Sequence, residues 1–189
     1  MKLLKRTDFD SYPANLRDKA VWVVLKATGI RCGELINIKV SDVNLTDRTL
    51  RIIDSKKKCP YILPLSNECC LILSVYMNSK ESGQQLSTSK SKESSTVEDS
   101  YLFPSNHRGK TRMTRTNIQH IIHQYNSVLS PRNFRHFFAR NWILKKGDLI
   151  SLQSILRHKN LEMTIHYASQ IRFLEEDAQI KAEYHRIFA

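Results

Sequence analysis

A mainly helical α+β domain with one small antiparallel sheet is the fold class this sequence predicts, and three observations carry it. Apolar residues return at three- and four-residue intervals along most of the chain, the period of a helix with one buried face. Only Thr49 to Asp54 and Tyr61 to Leu65 concentrate β-branched and aromatic residues, and they flank a short lysine-bearing turn. At 189 residues the chain has the length of one compact domain, which buries roughly 70% of its unfolded surface.

The first helix is expected where Leu16, Ala20, Val23, Val24 and Ala27 share a face, with Pro13 suited to a first turn and Gly29 to a C-cap. Its exit delivers Arg31. Glu34 to Ile38 read as a short second helix, and Asn44 to Arg48 as a turn between extended segments. The two strand-like runs then form a hairpin around Ser55 to Pro60, with Lys56 near its tip. Asn67 to Ser79 has helical character. Residues 80–100 are a Ser, Lys and Glu tract with almost no large apolar residue; such a composition cannot pack a core and predicts a mobile surface loop. A helix capped by Thr114 or Thr116 runs to about Val128, with Ile118, Ile121, Ile122 and Tyr125 inward. Pro131 opens the next helix and Gly147 ends it. Asp148 caps another that carries Leu149, Leu152, Ile155 and Leu156. Beyond it, Ile171, Leu174, Ala178 and Ile180 recur at roughly helical spacing, a tail that packs on its own domain or docks on a neighbour.

The formal charge of +12 and a pI near 9.7 imply a polyanionic partner, because so large an excess repels itself unless something neutralises it. Nucleic acid fits best. No apolar run approaches the about 20 residues that a membrane span needs, and no signal-peptide core follows Met1, so a cytoplasmic protein is expected. Cys32, Cys59, Cys69 and Cys70 form no C-x-x-C pair and read as reduced, mostly buried thiols rather than a zinc site. His120 and His123 share a helical pattern but no set of carboxylates accompanies them, so no metal is expected there.

Chemistry concentrates between Ser130 and Ser169. Arg132 and Arg135, at i and i+3, project from one helix face and can converge on an anion. His158 and Tyr167 are separated by a break at Lys159 and Asn160 that lets a second helix swing the phenol back towards the imidazole. Cationic side chains followed by a tyrosine suit a phosphodiester. Its charge repels nucleophiles, and its transition state gathers more charge on the non-bridging oxygens. Arginine answers both problems, with a fixed fork that stays protonated.

These residues carry a family resemblance. SPRNFRHFFARNWILKKG followed by SLQSILRHKNLEMTIHYAS resembles the C-terminal half of the tyrosine recombinases, the lambda-type integrases. ATGIRCGELINIKVSDVN resembles the family's first-arginine box, with Arg31 and Glu34, and LRIIDSKKKCPYILPL its lysine-bearing strand pair. The resemblance runs from about Leu16 to Tyr167. It implies the family's catalytic-core fold. It further implies DNA cutting and rejoining through a 3′-phosphotyrosyl link, without metal, ATP or other cofactor. The roles it implies are Tyr167 as nucleophile, Arg31, Arg135 and His158 on the scissile phosphate, and Lys56 as the acid that protonates the leaving 5′-oxygen. Glu34 would hold Arg31 in place, while Lys57, Lys58 and Arg157 would contact the DNA backbone. The implied partners are double-stranded DNA and further protomers, four of which exchange strands in the family.

Two positions depart from the family pattern. Arg132 stands where a histidine is commonest, and a guanidinium cannot accept the tyrosine proton; it would donate to the phosphate or lower the phenol pKa, leaving His158, water or the phosphate as acceptor. Arg157 stands where the family has a glycine before its histidine. No helical core-binding segment of the family's kind precedes Leu16, which predicts an excised catalytic portion or a reduced form with weak, salt-sensitive binding. The alternatives are a type IB topoisomerase-like relaxation activity and a catalytically impaired DNA-binding module.

Overall fold

The computed structural model describes residues 6–9, 12–53, 59–85, 100–105, 112–165, 168–169 and 186, with the backbone alone for 6, 7 and 80–85. It divides into two compact units, residues 1–137 and 138–189.

The first unit is built around helix α1, Leu16–Thr28. Its Asn15 cap accepts from the Arg17 and Asp18 amides, satisfying donors that a helix start otherwise leaves orphaned. Asn15, rather than the Pro13 emphasised by sequence, therefore sets the start. Ala20, Val21, Trp22, Val23, Val24 and Leu25 are all buried, so the middle of α1 is apolar all round and forms the unit's central post. It stops at Gly29, whose φ of 62° is the left-handed value a helix C-cap favours. Helix α2, Cys32–Leu35, follows, starting and ending earlier than the Glu34 to Ile38 expected.

The sheet has three antiparallel strands in the order β1 (Val43–Asn44), β2 (Thr49–Ile53) and β3 (Pro60–Pro64). Leu50 pairs with Leu63 and Ile52 with Tyr61. Leu50, Ile52 and Leu63 face the core, whereas Ile53 and Ile62 are exposed. Strand β1 lies partly in what the sequence presents as a turn. Asn44 accepts from the Asp47 amide at 2.9 Å, and Arg48 takes φ 53°, which closes a tight connection that two residues can enter as strand. Helix α3, Asn67–Gln85, packs against α1. It runs past Ser79 into the tract expected as a loop; the remainder of that tract, 86–99, lies outside the described residues. The returning chain docks on residues 38–40, with the Leu102 amide on the Ile38 carbonyl at 2.8 Å and Tyr76 donating to the Leu102 carbonyl at 3.0 Å.

Helix α4, Arg115–Tyr125, begins at a capping box of Thr114 and Asn117 and buries Ile118, Ile121 and Ile122. It ends before the expected Val128 because the Asn126 side chain takes the Val128 amide at 3.1 Å and turns the chain. Helix α5, Pro131–Leu144, contributes its first half to this unit. There Phe134 stands edge-on to Trp22 at 4.7 Å and to Phe9 at 5.2 Å, and Phe137 stacks on Phe9 at 4.2 Å. The Trp22 indole donates to the Phe9 carbonyl at 3.1 Å. This aromatic cluster fixes the rotation of α5 about its own axis. Phe134→Ala should cost about 3–5 kcal/mol, read as a lower urea midpoint with an unchanged m-value.

In the second unit, Ala139, Leu152 and Leu156 form a small core joined by Phe138, Trp142, Ile143 and Leu149. Helix α6, Leu149–Leu156, is capped by Asp148, whose carboxylate takes the Ser151 amide at 2.7 Å. Lys146, not Gly147, adopts the left-handed turn after α5, at φ 58°. Gly147 is small for another reason: a Cβ there would sit 2.3 Å from the Trp142 indole nitrogen. Residues 161–165 are helical.

Candidate active site

The exit of α1 gathers the first unit's catalytic candidates. Thr28 returns its hydroxyl to the Val24 carbonyl at 2.6 Å, Gly29 turns left-handed, and Arg31 becomes the N-cap of α2. Glu34, 5% exposed, accepts the Arg31 amide at 2.7 Å and its guanidinium at 3.2 Å. One carboxylate thus fixes both backbone and side chain of an arginine whose head is 46% exposed, leaving a rigid, solvent-facing cation. Arg135 arrives from α5 and donates Nη1 to the Gly29 carbonyl at 3.0 Å. Arg31 and Arg135 therefore share one corner of the unit. Arg132, one turn earlier on α5, is exposed.

Two residues at this corner escaped the sequence reading. His136, half-buried at i+4 from Arg132, has its pKa lowered below 6.5 by desolvation and then by the Arg132 and Arg135 guanidinium groups. Both causes disfavour the imidazolium form. Arg115, at the start of α4, lays its guanidinium over Gly33. Its one detectable signal was Thr114, whose cap places the next residue at a helix start.

In the second unit, His158 is half-buried and its Nδ1 lies 2.9 Å from the Thr164 hydroxyl. Thr164 is fully buried, so the contact orients the ring. Arg157 caps α6 at φ 52°, ψ 49°, its amide bonded to the Gln153 and Ser154 carbonyls. This explains the glycine expected there: left-handed backbone costs a Cβ-bearing residue roughly 1–2 kcal/mol. Arg157→Gly should stabilise the protein by about 0.5–1 kcal/mol, a rise of about 1–4 °C in Tm by calorimetry.

Lys56, Lys57, Lys58 and Tyr167 lie outside the described residues. All four cysteines are free, but only Cys69 is buried; Cys59 is exposed and Cys32 and Cys70 are half-exposed, contrary to a mostly buried set. Burial pushes the Cys32 thiol up to about 11 and Cys69 up to about 12, so neither is a thiolate nucleophile at neutral pH. Among the described residues no cluster of His, Cys, Asp and Glu could hold a metal ion, and no helix is long and apolar enough to cross a membrane.

Known proteins resemble this chain along most of its length. The phage integrase family matches over residues 2–172. The tyrosine recombinase XerC of Bacillus subtilis (strain 168) is 36% identical over 163 residues, 83% of this chain and 50% of that protein. The tyrosine recombinase XerD of Yersinia pestis is 33% identical over 166 residues, 82% of this chain and 50% of that protein. The chain thus spans about half the length of the curated relatives it matches. The crystal structure of XerA recombinase superposes with a TM-score of 0.70 at 26% identity, covering 93% of this chain and 64% of that one. XerH recombinase bound to its difH substrate gives 0.64 at 21% identity, covering 92% and 49%, a likeness of fold. Matched by the family over nearly its whole length and by relatives at 33–36% identity, the chain belongs to the phage integrase family of tyrosine recombinases.

Proposed function

We propose that this chain is the catalytic portion of a site-specific DNA recombinase. The Tyr167 oxygen attacks phosphorus as its proton passes to His158, water or the phosphate, the bond to the 5′-oxygen breaks, and a 3′-phosphotyrosyl link conserves its energy until a 5′-hydroxyl reverses the step. Arg31 and Arg135 grip the non-bridging oxygens, His158 adds a third donor, and Lys56 protonates the leaving oxygen. Lys57, Lys58 and Arg157 serve as backbone contacts. The observation that carries this reading is that Arg135 reaches the carbonyl of Gly29, two residues before the Arg31 that Glu34 braces. Two fixed guanidinium groups at one turn suit a single phosphate far better than scattered surface charge. XerH is a site-specific recombinase solved with its difH substrate bound, and the formal charge of +12 favours a polyanion such as DNA here. Four protomers on paired sites would complete strand exchange.

The test is trapping on a nicked duplex, drawn from the genomic DNA flanking the coding sequence, that loses its 5′-hydroxyl fragment on cleavage. The expected result is a covalent protein–DNA band on a denaturing gel and a free 5′-hydroxyl end. Non-covalent binding with no band at low salt would leave a DNA-binding module instead.

A further inference from the structure

The segment from Ser100 to Gly147 holds nine Lys and Arg residues and no Asp or Glu, so its arginines meet no counter-charge from their own stretch of chain. Two of them are laid against α2 and the turn after it. Arg115 lies flat on Gly33, close enough that a Cβ there would stand 2.6 Å from Nη2 and 3.2 Å from Cζ and Nε. Any side chain at this position would displace the guanidinium. About one helical turn on, Arg112 donates to the Asn37 side-chain oxygen, and the Asn37 amide in turn donates to the Gly33 carbonyl at 2.8 Å. The Arg112 head also sits 6.0 Å from the Tyr101 ring centroid. An amide and an aromatic ring orient a guanidinium without neutralising it. Ion pairs among the described residues include Arg17 with Asp18, Arg31 with Glu34 and Arg51 with Asp42; Arg112 and Arg115 have no carboxylate partner there. Gly33 lies two residues beyond Arg31, so the two heads continue the cationic corner along α2.

We infer that Arg115 and Arg112 form a phosphate track that carries the DNA strand away from the ester held at Arg31, with Gly33 kept bare so that the track lies on α2. This rests on the DNA-cleaving reading above and extends it to two residues outside the reacting group. The contacts are to backbone charge, so they hold the strand in register whatever its sequence.

The test is equilibrium binding of the full chain to a short duplex of random sequence across a salt series. Each phosphate contact contributes about −0.9 to the slope of log K against log salt. Arg115→Gln and Arg112→Gln should each flatten the slope by about that amount, with unchanged melting temperatures. Arg115→Lys, which keeps the charge, should retain the slope. Gly33→Ala moves only the far end of a flexible side chain, so it should fold and give a slope between wild type and Arg115→Gln. Unchanged slopes in both glutamine variants would overturn the track, as would a loss of affinity at constant slope, the mark of a base-edge contact. The nicked-duplex trapping reports on the cleavage reading separately: wild-type adduct with unchanged slopes removes the track alone, and flattened slopes without adduct remove the chemistry alone.

Discussion

Tyr167→Phe is expected to leave DNA binding essentially unchanged and to abolish the covalent band on the nicked duplex, a loss on the order of 10⁴-fold or more in cleavage. The substitution removes one oxygen and keeps the ring, so packing around it is disturbed little. The hydroxyl three residues earlier cannot replace that oxygen. Thr164 is fully buried and its hydroxyl is engaged with His158. The half-exposed Cys32, beside Arg31, is held protonated by a pKa pushed up to about 11. A band that survives Tyr167→Phe would move the nucleophile elsewhere and take with it the pairing of His158 with Tyr167 on which the chemistry was read.

What the sequence disclosed follows the range of the interactions involved. Helix α1 and its Gly29 stop were legible because the apolar period and the glycine act locally. The α6 cap at Asp148 and the inward Leu152 and Leu156 were legible for the same reason. Strand β1 was not: two residues carry no period, and Val43 and Asn44 become strand only by pairing with Leu50 and Thr49. The arginine boxes named Arg31 and Arg135, yet the bond that brings them together joins residues 106 apart and has no local signature. Arg115 was invisible for a related reason. One arginine in a chain with 30 Lys and Arg carries no signal, and the seat that gives it meaning is a missing Cβ on another helix. His136 needed both burial and two neighbouring guanidinium groups before its lowered pKa appeared. Arg157 shows the opposite case. Its departure from glycine was plain in sequence, and the structure supplies the cause, a left-handed cap occupied at some cost in strain.

Arg135→Ala should reduce single-turnover cleavage by about 10²–10³-fold, the effect of removing one preorganised donor from a developing oxyanion. Arg135→Lys should recover only part of this. A guanidinium has five N–H donors in a rigid plane, which lets one head brace the Gly29 carbonyl through Nη1 and reach a phosphate oxygen in the same geometry. A lysine nitrogen is a point charge on a flexible stem, and holding the carbonyl fixes it away from the ester. The placement of Arg135 also depends on what lies behind it. Phe134 and Phe137, clamped by Phe9 and Trp22, turn α5 so that Arg135 meets the α1 exit. Phe134→Leu, which keeps apolar bulk but loses the edge-on ring contacts, should therefore lower the cleavage rate of the folded protein more than its affinity for DNA. Equal losses in both, or cleavage by Arg135→Ala within threefold of wild type, would show that α5 serves packing alone and that the phosphate is held by other groups.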